Sequence, residues 1–511
     1  MVSVPNVEGD DLVAVPEPDG RVDALRNMLM TIERDRPEYD LISDYHKGKQ
    51  AQPNVPKTAR VEVHEIAKRS VMNLMPLQVS IPAQLSFVDG YREGGNREPK
   101  VWSVWDNSSM PAKQTNAFRT ALKYGNSFLS LEDLNQKEPK IKLLSTPDTV
   151  AFYHDPVNDR FPVYAMTIRY RPSGDKPGLV VYYDDQEIAY YDWTVGGSGK
   201  SEFQRREESY VHGLGMTPVK RLVCMMDDDG VVEGLVKPMI PLQDRVNQTS
   251  FDLMVTQTFS SFKVRWASGM LGDPVYDEDP ETGELIPRRD QDGNQIYRPI
   301  PIDQSTWVTT DDPQAKMGTL DETPLEGFLK AFEMAIKHYA IVGQLPPHNL
   351  LGSMDNLSAD TLVAAMSQTM RFVHMLKTEW GQAIVDLLGL ASIQMGYRDT
   401  LDGYDGEVNW RDMSDHTLAA VVDALGKAAQ LLDVPKRSLW PRIPGVTQGE
   451  VMAWEEAAEE EAKLEEFEDL DTPGGAASRE VGNATPTPLE AFGTRAGDST
   501  SSAQAVEPPV R

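Results

Sequence analysis

Residues 242–262 read LQDRVNQTSFDLMVTQTFSSF. The run predicts one long helix, rich in Gln, Asn, Ser and Thr, with Pro238 and Pro241 bracketing its start. Beyond it the chain changes character. FKVRWASG and IYRPIPID within 263–322 read as strands, and two hairpin-like tips lie between them. The first is Asp279-Pro280-Glu281-Thr282-Gly283 and the second Asp290-Gln291-Asp292-Gly293-Asn294, whose Asp-Gly pair is a good turn signal. Helix returns over 324–342, opened by Pro324. An irregular stretch, GQLPPHNLLGSMDNL at 343–357, precedes Ser358, which caps a very long helical segment to about 396.

Upstream, residues 21–47 place Val22, Leu25, Leu29 and Ile32 at helical spacing. KGKQAQPNVPK breaks that pattern, and a second helix is expected over about 59–75. Pro111–Tyr124 forms a third, with Pro at its start and Gly125 at its end. From 126 to 226 the period becomes two. NSFLSLEDL, KIKLLST, TVAFYHD, FPVYAMTIRY, GLVVYYDD, EIAYYDW and ESYVHGL are short β-branched and aromatic runs separated by turn residues, hence antiparallel sheet. With the helices before it, this makes an α+β domain. Downstream, Asn409-Trp410 ends a strand-like piece, and helices are expected at 414–432 and 447–469. From 472 the composition of Pro, Gly, Ser, Thr and Ala cannot bury enough apolar surface to fold alone.

The chain has 511 residues, enough for two to four domains. Its 79 Asp and Glu against 50 Lys and Arg leave a net charge of −29. Such a chain is not built to read nucleic-acid sequence or to dock on anionic lipid through charge. Cys224 is the sole cysteine and sits in an apolar run, RLVCMM, as a core residue. The first residues lack the basic and apolar regions of a secretory signal. The best apolar stretch, 383–396, contains Asp386 and is too short to span a bilayer, so a soluble protein is expected.

Chemical motifs are few. Gly196-Gly197-Ser198-Gly199-Lys200-Ser201 invites a phosphate-loop reading, but Thr194 stands where the motif needs glycine. No helix follows to hold phosphate at its N-terminus, so the run is a hairpin tip. Asp227-Asp228-Asp229-Gly230 lacks the alternating spacing of a calcium loop and reads as a solvated turn. The eight histidines do not pair at helical spacing, and no G-x-S-x-G elbow occurs. Trp380, Trp410, Trp440 and Trp454 read as core, because no basic groove residues accompany them. Lys330 and Lys337, seven apart, share one helix face with Glu326 and Glu333 nearby.

The order of these pieces resembles the portal proteins of tailed bacteriophages, over roughly 25–470. Trp102 and Trp105-Asp106-Asn107 precede the helix containing Phe118–Phe128. Tyr153-His154-Asp155-Pro156 is followed by Arg160-Phe161-Pro162-Val163-Tyr164-Ala165. Gly215-Met216-Thr217-Pro218-Val219 precedes a strand, and Leu242-Gln243-Asp244-Arg245-Val246-Asn247-Gln248-Thr249 opens the long helix. Gly343-Gln344-Leu345-Pro346-Pro347 and Asn356-Leu357-Ser358-Ala359-Asp360 flank the irregular stretch, and Glu407–Asp412 follows the very long helix.

The resemblance implies an α+β fold with an α+β wing, a helical stem, a small β-hairpin clip and a helical crown. Laid on this chain, it gives a leader at 1–24, wing 25–235, stem helices 236–262 and 323–342 and clip 263–322. A tunnel loop comes next at 343–357, then a long helix returning to the wing at 358–400, a crown at 401–470 and a tail at 471–511. It implies a homo-oligomeric ring, twelve-fold in the virion, at one capsid vertex, through which double-stranded DNA is packaged and ejected. The implied partners are the major capsid protein, scaffold, the terminase large subunit and later head–tail connector proteins. The resemblance further implies no catalytic site, metal or cofactor, and assembly in the host cytoplasm. The tunnel loop would face DNA with Gln344, Pro346, Pro347, His348, Asn349 and Asn356. Lys330 and Lys337 are candidate channel-lining residues, and Asp279, Glu281, Asp290 and Asp292 are docking candidates on the clip. Residues 271–322 hold thirteen acidic and four basic residues, the reverse of a DNA-gripping module. Another virion structural or assembly protein such as a connector is the alternative; an ATPase through Lys200 or a metal nuclease through the acidic turns is disfavoured by the missing motif positions.

Overall fold

The computed structural model describes residues 20–93, 100–196, 199–260, 265–268, 273–280, 282–298, 316–319, 324–346, 350, 359–401, 403–411, 413, 418–443, 445–446 and 448–471. Two compact units divide it, 1–451 and 452–511.

Helix α1 (Arg21–Lys47) buries Leu25, Met28, Leu29, Ile32, Tyr39, Ile42 and Tyr45, a stripe at three- and four-residue steps. It ends at Gly48 in the left-handed region, where the Gly48 and Lys49 amides donate to the Tyr45 and Asp44 carbonyls. The helix expected over about 59–75 ends early, at Arg69 (α2, Val61–Arg69), and a separate helix, α3 (Met75–Gln84), begins where it was expected to stop. The break is chemical. The Asn73 side chain accepts the Met75 amide and donates to the His46 carbonyl, so residues 70–74 turn rather than continue. Strand β1 (Val88–Arg92) follows, then α4 (Trp102–Asn107) and α5 (Met110–Tyr124), which Gly125 closes. A Cβ at Gly125 would lie 3.0 Å from the Glu233 backbone, so this position needs glycine for space as well as for its positive φ.

Residues 126–223 form two antiparallel sheets among the described residues. In the first, β2 (Asn126–Glu132) lies between β3 (Lys140–Leu144) and β10 (Val219–Val223), and every residue of β2 is buried. The second is a meander, β4 (Thr149–Phe152), β5 (Tyr164–Tyr170), β6 (Gly178–Tyr183), β7 (Glu187–Val195) and β8 (Ser201–Arg205). The short β9 (Tyr210–Val211) also pairs with β7. Strands β7 and β8 pair as a hairpin, with Val195 opposite Ser201 and Gly196 donating to the Lys200 carbonyl. The three aspartates at 227–229 lie in the turn between β11 (Met225–Met226) and β12 (Val232–Glu233), where Asp227 accepts the Asp229 and Val231 amides. The first half of α1 packs on the meander through Met166, Ile168, Val180, Tyr182, Tyr191 and Trp193.

Helices α6 (Ile240–Ser260) and α7 (Glu326–Val342) come next, and the described residues between them include four short strands: β13 (Arg265–Ser268), β14 (Tyr276–Glu278), β15 (Leu285–Pro287) and β16 (Lys316–Thr319). Helix α8 (Ala359–Gln394) then runs back through the core. Its Trp380 is fully buried, stacks on Phe118 with ring centroids 4.6 Å apart, and donates its indole N–H to the Val223 carbonyl at 2.7 Å. Strand β17 (Glu407–Trp410) pairs antiparallel with β1. Helices α9 (Leu418–Leu431) and α10 (Lys436–Leu439) follow, and α11 (Gln448–Asp471) supplies the described part of the second unit. Cys224 and Trp380 are core as expected; Trp410 is partly buried against the core, whereas Trp454 is 40% exposed.

Two buried carboxylates fasten these layers. Asp386 on α8, fully buried, receives Arg160, Lys220 and Gln382. Glu132 on β2 receives Lys142 at 2.9 Å, the Tyr183 hydroxyl at 2.7 Å and Arg169. Burial alone would raise the Glu132 carboxyl, but Arg169, Lys142 and the Tyr183 hydroxyl together hold it below the ordinary carboxylate range. A depressed carboxylate contributes stability above its unfolded value and loses it as pH falls through the folded one. Glu132→Gln therefore lowers the melting temperature near neutrality and flattens the acid-side decline seen in the parent. Asp386→Ala leaves two cations facing an empty site and costs about 3–5 kcal/mol, read as a lower denaturant midpoint.

Candidate functional site

The region with functional promise is the α6–α7 pair, its root in the body and the small strands beyond it. Arg245, near the start of α6, lies 3.2 Å from the His338 ring near the end of α7, so the helices run antiparallel. The polar residues that make α6 unusual are its fastenings. Gln243, fully buried, accepts the Leu74 amide at 3.0 Å and donates to the Met72 carbonyl at 2.6 Å and to Asn247 at 2.9 Å. Asn247 accepts the Met72 amide at 3.1 Å. Asp244 accepts the Tyr45 hydroxyl at 3.0 Å on both oxygens; burial first, then this bond, pushes Tyr45 up to about 12. The Gln and Asn content of α6 is plain in the sequence, but this use of it is not. The i, i+4 spacing of Gln243 and Asn247 is the signal that could have revealed it.

Helix α7 buries Ala335, Ile336, Tyr339 and Ala340. Its other side is exposed. Lys330, Met334, Lys337 and Ile341 follow at steps of four, three and four, so they form one strip. Lys330 pairs with Glu326 at 2.6 Å, both side chains more than 70% exposed, and such a pair contributes little. Lys337 has no ion pair among the described residues. Met334, at 48%, and Ile341, at 64%, are exposed apolar members that the sequence reading does not single out. The strip thus alternates cation and hydrocarbon.

At the end of α7 the chain turns under two clamps. The Gln78 side-chain amide donates to the Gly343 carbonyl at 2.7 Å, and the Thr369 hydroxyl of α8 donates to the Gln344 carbonyl at 2.6 Å. Gln344 has φ 54° and is exposed; Leu345 donates back to the Ala340 carbonyl, and Leu345 and Pro346 are buried. Of these two expected loop residues, then, Gln344 is displayed and Pro346 is folded inward by that return bond. Pro347, His348, Asn349 and Asn356 lie outside the described residues.

Beyond the helix pair, β13 pairs with β16 and β14 with β15, all antiparallel. Asp279 closes the β14–β15 turn, its amide donating to the Glu284 carbonyl and its carbonyl accepting the Gly283 amide. Asp290 accepts the Asn294 and Asp292 amides, and these bonds, Asn294 foremost, hold its carboxyl below the usual range. Asp292 is exposed on that tip; Glu281 lies outside the described residues. The acids on the two tips are in separate turns. Among the described residues no group of His, Cys, Asp and Glu has metal-binding arrangement, and no helix is long and apolar enough to cross a membrane.

The family model for phage portal proteins of the SPP1 Gp6-like kind matches residues 28–464. No curated protein matches the chain. Among solved structures, a chain in the neck of an empty gene transfer agent particle is 11% identical, with 75% of this chain and 96% of that one covered and a TM-score of 0.39. A chain of the native gene transfer agent virion is 12% identical, covering 78% and 99%, at 0.37.

The Gly343 clamp makes a test. A Cβ there would fall on the Gln78 carboxamide and 3.0 Å from the Tyr339 carbonyl. Gly343→Ala lowers the melting temperature, and the loss is smaller when Gln78→Ala is made in the same chain, a coupling that a double-mutant cycle measures.

Proposed function

The chain belongs to the phage portal protein family, SPP1 Gp6-like, and from that membership we propose that its copies close into a ring, twelve-fold in the virion, that carries double-stranded DNA through one capsid vertex. The observation that carries this reading is the match over 28–464, nearly the whole described chain. As a portal protein it is a structural component of the virion. In the proposed assignment, residues 25–235 form the wing, α6 and α7 the stem, 263–322 the clip, 343–357 the tunnel loop and 401–470 the crown. The clip takes the terminase large subunit during packaging and connector proteins afterwards. The wing and crown meet capsid protein and scaffold during assembly in the host cytoplasm.

The physics of a passage supports this. Each phosphate neutralised by a fixed cation releases counterions and adds sequence-independent affinity, which a sliding duplex has to overcome at every step. Lys330 is already neutralised by Glu326, so the exposed strip of α7 offers Lys337 as its one unpaired cation among the described residues. Met334 and Ile341, exposed on the same strip, add uncharged hydrocarbon between the lysines and no further fixed charge. Acidic tips at Asp279, Asp290 and Asp292 would face basic docking partners and repel DNA.

Negative-stain microscopy of the purified chain tests the ring: an annulus with a central hole is expected, and a uniform population of monomers contradicts it. Lys330→Gln with Lys337→Gln is expected to leave the ring intact and to change the amount of nuclease-protected DNA in particles; unchanged protection removes these lysines from the channel wall.

A further inference from the structure

In a chain with 79 acidic residues, the stretches 45–61 and 107–131 hold none. Together they carry Lys47, Lys49, Lys57, Arg60, Lys113, Arg119 and Lys123. They are far apart in sequence, yet the fold brings parts of them together. Helix α5 packs along the last turns of α1, with the Tyr39 and Tyr124 rings edge to face at 5.2 Å and the Lys123 ammonium donating to Ser43 at 3.1 Å. Lys47 is one turn beyond Ser43, and Arg119 one turn from Lys123. The cations therefore gather in one place, with His46 among them.

Many Arg and Lys side chains elsewhere in the body sit beside carboxylates, as at Arg21, Arg36, Arg169, Arg171 and Lys220. Here they do not. Lys123 donates to neutral oxygens, of Ser43 and Tyr124, and lies 4.4 Å over the Tyr124 ring. Lys47, Lys49 and Arg119 are exposed and have no ion pair among the described residues. Asp44 is the carboxylate that acts on Lys123, and it does so more weakly than burial and Lys47. The crowding is felt by its members. Burial, then Lys47, holds the Lys123 ammonium down to about 8, and burial, then Lys123, Arg119 and Lys47, lowers His46. An anion placed here would relieve that repulsion.

We propose that Lys47, Lys49, Arg119 and Lys123 form a seat for the phosphate backbone of duplex DNA, separate from the α6–α7 pair and sequence-independent. A protein partner fits less well. Lysine is depleted in protein interfaces, and their anchors are aromatic or arginine in desolvated pockets. Asn116, one turn before Arg119 on α5, is exposed and offers a further donor to phosphate, while the exposed Asp44 is the one carboxylate shown to act on the cluster. Screening limits repulsion from the acidic remainder to about 8 Å at physiological salt, so the local field decides. The inference rests on the portal reading only for the source of the DNA.

The test is fluorescence anisotropy of the full chain with a short labelled duplex, titrated across salt. The parent is expected to bind with a linear log–log salt dependence. Lys47→Gln/Arg119→Gln/Lys123→Gln is expected to reduce the slope by about 2–3, since each phosphate no longer neutralised removes about 0.9. Lys176→Gln, on an exposed turn, leaves it unchanged. Thermal melting of the triple variant checks that it folds. A parent without salt-dependent binding, or a triple variant with the parent's slope, overturns the proposal. So does a triple variant that keeps the slope but no longer assembles by size-exclusion, which would give the patch to a second copy. The DNA-binding outcomes do not bear on whether the parent forms a ring.

Discussion

Rooting a projecting helix pair in a packed body is the constraint on which this structure depends. An apolar stripe alone would let α6 slide or rotate, because hydrocarbon contacts are not directional. Gln243 and Asn247 instead bond the backbone of 72–74, Gln78 bonds Gly343 at the far end of α7, and Thr369 bonds Gln344 from α8. Each is a polar group whose burial is costly unless both sides of the bond are made, so each fixes one register. The connector at 70–74 breaks what would otherwise be one helix, and the break is what exposes backbone groups for α6 to hold.

The same logic ties α8 to the sheets. Trp380 and Asp386 lie six residues apart and both face the body, one stacked on Phe118 and bonded to Val223, the other holding Arg160 and Lys220. A load transmitted along α8 would therefore reach β10 and the 153–163 loop directly. For a molecule proposed to sit between a motor and a capsid, that continuity is a mechanical property of the sequence, written in buried charges and one indole.

How legible is this in sequence? The meander from β4 to β7 is plain, because alternating aromatic and β-branched residues between turn signals have few other uses. The long helices and the hairpin at Gly196–Lys200 are equally plain. The β1–β17 pairing is not, since its partners lie more than 300 residues apart and β1 has no local alternation strong enough to announce it. The split at 70–74 is hidden because Asn73 acts through its side chain, not through Pro or Gly. Lys330 and Lys337 are visible as a spaced pair, but Pro346 is placed by a backbone bond from Leu345 that composition cannot express. The lysine cluster at α1 and α5 emerges only once the fold has joined two acid-free stretches. Net charge points away from DNA, whereas the distribution leaves room for a partner that slides past an acidic wall and is held elsewhere.

A ring at one vertex, with α7 toward its bore, is tested most directly by an asymmetric cryo-electron microscopy reconstruction of particles containing this protein. One vertex is expected to carry a ring of this chain, with axial DNA density and the Lys330–Ile341 strip on or beside the channel wall. Finding the chain at every vertex, at none, or with α7 facing away from the axis would contradict the account.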